Sequence, residues 1–212
     1  MTPSIPNDIF QFSTTAALTA GFTIGQPRTS DLTSHGTHGL GVYEDGSLIL
    51  LLDHQAYSIR KDGAVVPAPM DAQLPFAMVT VFQPTYRVQL SELSFEGLEE
   101  LIASEELGAA KSVNSLTPFM VRARFAEVST EQGATLKDVE GTVFGFVVPR
   151  WMREISGPRI HAHFVDEEEG KGGKVEGFEI EEEVTLGFAK CGRFHLGFPQ
   201  GPEWEDVKLG RS

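Results

Sequence analysis

The sequence predicts an α+β protein built from two β-rich halves of mixed sheet. Two Asp-Gly pairs, at residues 45–46 and 62–63, lie between β-favouring runs, a pattern typical of hairpin turns. Five more strand-like segments follow residue 118. Only short stretches have helical periodicity, so strands dominate both halves.

One helix is expected to separate the two halves. The stretch over residues 94–107 places Leu98, Leu101 and Ile102 on one face, as an amphipathic helix requires. We therefore expect an N-terminal sheet half with this helix over residues 1–110 and a C-terminal sheet half over residues 111–212.

The remaining elements follow from local composition, taken in chain order. Residues 9–20 predict a short helix, and residues 29–41 predict a polar approach to a Gly-rich turn. Strands are predicted over residues 40–43, 48–52, 55–60, 64–67, 77–82, 119–128, 141–149, 160–165, 174–180 and 193–198.

Bulk composition excludes several classes of function. The chain has 212 residues, 41% of them hydrophobic, and a formal net charge of -13. That charge repels phosphate backbones, so we expect no nucleic acid partner. No apolar run is long enough for a membrane helix. The start of the chain lacks a signal-peptide pattern, and Cys191 is the single cysteine. These features favour a cytoplasmic protein.

The segment GPRIHAHFVDEEEGKGGK contains the clearest functional signal. His161 and His163 are two residues apart, so their side chains share one face of a strand. Taken alone, this spacing is a weak signal for half of a zinc site, because such a pair is more often two hydrogen-bonded strand histidines. The turn after Gly172 and Gly173 would return Lys174 beside the pair.

Several motifs together resemble the α-acetolactate decarboxylase family. They are HGTHGLGVYEDGSLILLLDHQAY, LPFAMVTVF, VEGTVFGFVVP and the histidine segment, in the family's order and with similar spacing. The resemblance implies a fold of mixed β-sheets and a homodimer. It also implies a zinc ion held by three histidines and the conversion of 2-hydroxy-2-methyl-3-oxobutanoate to acetoin and CO2.

The active site implied by this resemblance is only partly present. Two metal-binding histidines match His161 and His163, but the third corresponds to Lys174. A family glutamate corresponds to Ser47, and a family arginine corresponds to Glu131. The chain is also expected to end before the position of a family glutamate near the C-terminus.

A third zinc ligand would have to come from another part of the chain, because an ammonium group at Lys174 repels a dication. Side chains of a suitable type are His38, His195, Glu176 and Glu44. We expect zinc to bind weakly or not at all, and we expect no nucleotide cofactor. The candidate substrate pocket comprises His38, Glu44, Ser47 and Glu176.

Lys174 and Arg122 are the candidate catalytic residues. A lysine in a mostly apolar pocket beside histidines can become a nucleophile toward a 3-oxo acid, although a solvated lysine fits the sequence as well. Arg122 matches a family arginine and could bind a carboxylate, or it could form a surface ion pair.

Two functions therefore stay open. The first is a divergent lyase or isomerase that acts on a small oxo acid or a related carbonyl compound, without ordinary acetolactate decarboxylation. The second is a non-catalytic small-molecule-binding protein on the same scaffold. Fold alone does not separate them, because function depends on the site.

Overall fold

A computed structural model describes residues 6–132, 135–168 and 170–209 of the chain. These residues form two seven-stranded sheets and several short helices, which confirms the α+β prediction. The strands are β1 Ile9–Phe12, β2 His38–Val42, β3 Leu48–Leu52, β4 Gln55–Ile59, β5 Val65–Pro67, β6 Phe76–Thr80, β7 Tyr86–Leu90, β8 Leu93–Ser94, β9 Thr117–Thr130, β10 Thr135–Val147, β11 Ile160–Asp166, β12 Gly172–Ile180, β13 Val184–Phe188 and β14 Phe194–Gly197. The α-helices are α1 Thr15–Thr19, α2 Thr29–His35, α3 Phe95–Ala103, α4 Arg153–Ser156 and α5 Pro202–Glu205. Two 3-10 helices cover Glu105–Ala110 and Arg150–Met152.

The first sheet is mixed and has the strand order β14-β1-β6-β2-β3-β4-β5. β1 and β14 pair in parallel, whereas the other neighbours in this sheet are antiparallel. The turn between β3 and β4 is tight, because Asp53 and His54 both have positive φ, the geometry of a two-residue hairpin.

The second sheet is antiparallel and has the order β7-β13-β9-β10-β11-β12-β8. β12 also pairs with the far end of β9. This extra pairing brings the turn after β9 next to the start of β12, on the face where the histidines of β11 lie.

Alternating apolar side chains explain how the two sheets pack. On β10, Phe144 and Phe146 belong to a core cluster shared with Leu40 and Leu50 of the first sheet. Residues that alternate with these phenylalanines along β10, such as Val143, point to the other face of the second sheet and belong to a separate core there. Polar side chains that point toward the first sheet are therefore enclosed between two layers.

Some predicted elements differ from the observed ones. The helix predicted over residues 9–20 is wrong at its start, where Ile9–Phe12 is a strand between β6 and β14. Only Thr15–Thr19 is helical. The predicted strands omitted β7, β8 and β13, and the predicted turn over residues 29–41 contains α2. These short elements take their structure from long-range pairing, which local patterns do not encode.

The helix predicted over residues 94–107 is present as α3. A 3-10 helix follows it, in which Gly108 has φ of 55°. Each sheet contains strands from both sides of residue 110. β7 and β8 precede this residue and belong to the second sheet, whereas β14 follows it and belongs to the first. The division into domains at that residue stays a prediction. Within the described residues, no helix is both long and apolar enough to span a membrane.

Candidate functional site

A cavity of about 790 Å³ lies beside the histidine pair. Its wall includes α1, the segment that ends at Pro158, and the side chains of His161, His163 and Lys174. We call it the histidine cavity. Phe76 and Leu48 contribute buried apolar surface to the wall.

The alternation of β11 directs both histidines toward the first sheet, and their ring centroids are 6.0 Å apart. The Nδ1 atom of His161 donates to the Ser156 carbonyl at 3.0 Å, and that of His163 donates to the Ile49 carbonyl at 3.0 Å. Because a carbonyl oxygen only accepts, each neutral ring carries its proton on Nδ1 and has its lone pair on Nε2. The Nε2 atom of His163 is buried without a hydrogen-bond partner.

Both imidazoles are neutral at physiological pH. Burial lowers the pKa of His161 to about 4 and that of His163 to about 3. For His163 the neighbouring ring of His161 lowers the pKa further, and the charge of Lys174 contributes to the shift in both residues. The pair therefore offers hydrogen-bond acceptors to a ligand and does not offer acidic protons.

Gly157 is required behind His161. Its φ is 111°, a region that side chains other than hydrogen disfavour. A Cβ atom there would lie 2.8 Å from Nδ1 of His161. This glycine allows the chain to turn so that the Ser156 carbonyl can fix the ring.

Two strand pairings position Lys174. It lies opposite His163 in the β11–β12 register. On its other side, the Glu131 amide donates to the Lys174 carbonyl at 3.0 Å, and the Lys174 ammonium forms an ion pair with the Glu131 carboxylate. Gly173 is needed for this approach, since a Cβ atom there would lie 2.5 Å from the side chain of Thr130.

The donor set does not fit a zinc ion. Zinc requires at least three protein ligands, and the position next to the two imidazoles holds an ammonium group that is already paired with a carboxylate. In the part of the chain that the structure describes, no group of three or more His, Cys, Asp or Glu side chains could hold a metal ion. Zinc binding that is weak or absent stays a prediction.

Arg122 and His38 lie away from the histidine cavity. Arg122 lines a second cavity of about 650 Å³ together with Asp53 and Arg124, which we call the arginine cavity. Arg122 donates to the Thr142 hydroxyl at 3.2 Å and lies 3.8 Å from the Asp53 carboxylate. His38 is buried, has its pKa lowered to about 4 by that burial, and lies 3.5 Å from Asp53.

The other predicted residues also lie outside the wall of the histidine cavity. Glu44 accepts from the Gly25 amide, and Ser47 donates to the Asp45 carboxylate within the hairpin turn. Glu176 is exposed on β12. His195 stacks on Phe10 at 4.5 Å between ring centroids. None of these side chains lies on the wall where a third ligand would be needed.

Two cations of the cavity were missed by sequence reasoning. Arg153 of α4 and Lys208 near the C-terminus both line it. Neither lies in a recognisable motif, and the two residues are 55 positions apart in the sequence. Only the fold brings them together, so no local signal could have identified them.

The fold and the site define a class of protein: two packed sheets of seven strands with a cavity beside a pair of buried histidines. The family model for alpha-acetolactate decarboxylase matches residues 9–211. The chain belongs to the α-acetolactate decarboxylase family.

Relatives agree over nearly the full length. The alpha-acetolactate decarboxylase of Methanosarcina mazei is 30% identical over 100% of this chain and 81% of its own length. That of Lactococcus lactis subsp. lactis is 31% identical over 90% of this chain and 87% of its own length. The similarity therefore extends across both sheets.

Solved structures share the same fold. The alpha-acetolactate decarboxylase of Bacillus subtilis superposes with a TM-score of 0.86 and 22% identity, covering 96% of this chain and 94% of that chain. A Staphylococcus aureus protein of unknown function, similar to alpha-acetolactate decarboxylase, has a TM-score of 0.85 and 22% identity, with coverage of 96% and 95%. At this level of identity the likeness concerns the fold alone.

Proposed function

We propose that this chain is a divergent lyase or isomerase that acts on a small oxo acid or a related carbonyl compound in the histidine cavity. One observation carries the proposal: the Lys174 amine and the Glu131 carboxylate form an ion pair on the wall that also holds two neutral imidazoles. The relatives named acetolactate decarboxylase support a carbon–carbon lyase.

The pair can activate the amine without a metal. Glu131 accepts a proton from the Lys174 ammonium when a ligand displaces water from the cavity, and the free amine attacks the ketone carbon of a 3-oxo acid. Loss of water gives an iminium ion. The electron pair of the bond to the carboxylate then moves into the iminium, CO2 leaves, and an enamine remains.

The same carboxyl group completes the cycle. Glu131 gives the proton from Lys174 to the hydroxyl group that leaves as water, and it then takes up one proton from solvent. It delivers this proton to the enamine carbon, which regenerates an iminium ion, and water releases the ketone and the amine. His161 and His163 accept hydrogen bonds through Nε2 from hydroxyl groups of the ligand or of the addition intermediate, because their Nδ1 protons are held by backbone carbonyls. They orient the ligand and remain neutral.

Ordinary acetolactate decarboxylation does not fit this site. The third histidine position holds Lys174, the arginine position holds Glu131, and Ser47 stands where the family resemblance implies a glutamate. Metal polarisation of the substrate carbonyl would require ligands that this wall lacks. These positions support a reaction and a substrate that differ from those of the named relatives.

Reductive trapping tests the proposal. The protein is incubated with acetoacetate and sodium borohydride, and intact and peptide masses are measured. We expect one covalent adduct, located at Lys174, which is absent in Lys174→Ala. The variant Lys171→Ala is a matched control, because Lys171 is exposed just before the same strand. An unmodified Lys174 in the presence of saturating acetoacetate would contradict the amine mechanism.

A non-catalytic binding protein is the second candidate, and the ion pair itself favours it. In the ion pair with Glu131, Lys174 is an ammonium group, which has no lone pair with which to attack a ketone. Saturable binding of a small oxo acid without any adduct or turnover would support this candidate. A cytoplasmic location and a homodimer remain predictions under either function.

A further inference from the structure

A third cavity adjoins the histidine cavity at Lys174. Its volume is about 320 Å³, and it shares Glu131, Pro158 and Lys174 with the histidine cavity. The Lys174–Glu131 ion pair is therefore part of the wall of both cavities. A ligand bonded to the Lys174 nitrogen could extend in both directions from it.

The walls of this third cavity are suited to a hydrocarbon. Phe95, Ile160 and Val175 supply apolar surface, and we call the cavity the apolar groove. Acidic groups are present as well, because Glu96 and Glu99 line it. Arg159 is already bound to Glu99 at 3.1 Å and to the Val148 carbonyl at 2.9 Å. A carboxylate in this groove would meet net negative charge.

The histidine cavity has the opposite charge preference. Three cations line it, Lys174, Arg153 and Lys208, against two carboxylates, Glu131 and Glu154. Within the described ranges, neither Arg153 nor Lys208 has an ion-pair partner, whereas Lys174 is paired with Glu131. In a protein with a formal net charge of -13, a cavity wall on which cations outnumber carboxylates favours an anionic ligand.

We propose that the site takes a 3-oxo acid with an extended apolar tail, in preference to a four-carbon or five-carbon oxo acid. The carboxylate lies toward Arg153 and Lys208, the ketone carbon is at Lys174, and the tail occupies the apolar groove. In such an acid the carboxylate and the tail are attached on opposite sides of the ketone carbon, and both cavities adjoin Lys174, so each part of the ligand can lie in its own cavity. This orientation rests on the proposed function of Lys174.

Binding of unreactive analogues tests the substrate class separately from the chemistry. Calorimetry is performed with 3-hydroxybutyrate and 3-hydroxyoctanoate, which have no ketone and cannot form an iminium ion. The longer acid should bind at least about tenfold more tightly, because each methylene removed from water contributes roughly twofold or more. Failure of borohydride trapping would then overturn the amine mechanism alone, while equal affinities would overturn the tail-binding groove alone.

Two variants on one helix test whether the apolar tail binds in the groove or binds non-specifically. Glu96 and Glu100 are both on α3, but only Glu96 lines the groove. Glu96→Trp should fill the groove and reduce the preference for the eight-carbon acid to less than about threefold. The affinity for 3-hydroxybutyrate should not change. Glu100→Trp should retain the full preference, and an equal loss in both variants would refute the groove as the site of the tail.

The orientation of the ligand has its own test. Arg153→Gln combined with Lys208→Gln should weaken both acids by a similar factor, about threefold or more, because both acids have the same carboxylate. Arg87→Gln, an exposed cation outside these cavities, is the control and should change neither affinity. Unchanged affinities in the double variant would show that the carboxylate does not lie toward these cations.

Discussion

The histidine cavity and the arginine cavity differ in whether their polar groups already have hydrogen-bond or ion-pair partners within the protein. In the arginine cavity, Arg124 forms a two-point ion pair with Asp138, and Arg122 bonds Thr142 and faces Asp53. In the histidine cavity, Nε2 of His163 is buried without a hydrogen-bond partner.

Such groups are costly to leave unpaired, so they indicate where a ligand is expected. His38, next to the arginine cavity, also has an Nε2 atom without a hydrogen bond, but the Asp53 carboxylate lies 3.5 Å away. The comparison favours the histidine cavity as the binding site, and it separates Lys174 from Arg122, which the sequence analysis had assigned to one active site.

The largest expected effect concerns the family reaction itself. Turnover of acetolactate to acetoin should be at least about a thousandfold below that of an active relative assayed in parallel, since the site lacks the ligands for a carbonyl-polarising metal. A colorimetric acetoin assay with and without added zinc measures this. Turnover comparable to that of the relative would show that the histidine cavity still performs the family chemistry.

Restoring a third imidazole should convert the histidine cavity into a metal site. Lys174→His places a histidine opposite His163 in the strand register, and three imidazoles with one open position suit zinc. Bound zinc, measured by atomic emission after dialysis, should rise from well under one equivalent to about one. Lys171→His is the control and should bind no additional zinc. Stoichiometric zinc in the unmodified protein would mean that a third ligand had been overlooked.

The backbone behind His161 should be sensitive to a single methyl group. Gly157→Ala should lower the free energy of unfolding by roughly 1–3 kcal/mol, because φ is 111° there and Cβ would contact the ring. Urea titration measures the change. Gly21→Ala is the control, since Gly21 has φ of 86° and no atom lies within 4 Å of the position that its Cβ would take. If both variants lose equal stability, the contact with His161 has no measurable cost.

The smallest expected effect is at Arg122. Arg122→Gln should change the affinity for 3-hydroxyoctanoate by less than about twofold, because its side chain is 65% exposed and lies in the other cavity. Calorimetry of this variant beside the Arg153 and Lys208 variants gives the comparison. A loss larger than that of the Arg153 and Lys208 variants would assign the ligand to the arginine cavity instead.

Much of the fold was readable from local patterns. The Asp-Gly pair at 45–46 does separate β2 from β3, and the helical face with Leu98 and Ile102 is buried in α3. β1 could not be predicted from local patterns. Residues 9–12 are compatible with a helix, and they form a strand because they pair with β6 and β14. Secondary structure that depends on distant pairing is not encoded in a local window.

The sequence by itself determined that His161 and His163 share a face and that a lysine stands where a third histidine is implied by the family resemblance. Periodicity and motif order are properties of the sequence itself, so they can be recognised without a structure. Only the tertiary structure decided that Glu131 meets Lys174, through the pairing of β9 with β12. It also decided that Arg153 and Lys208 share one cavity while Arg122 belongs to another. Contacts between residues far apart in the chain arise from packing of the two sheets, which no short stretch of sequence specifies.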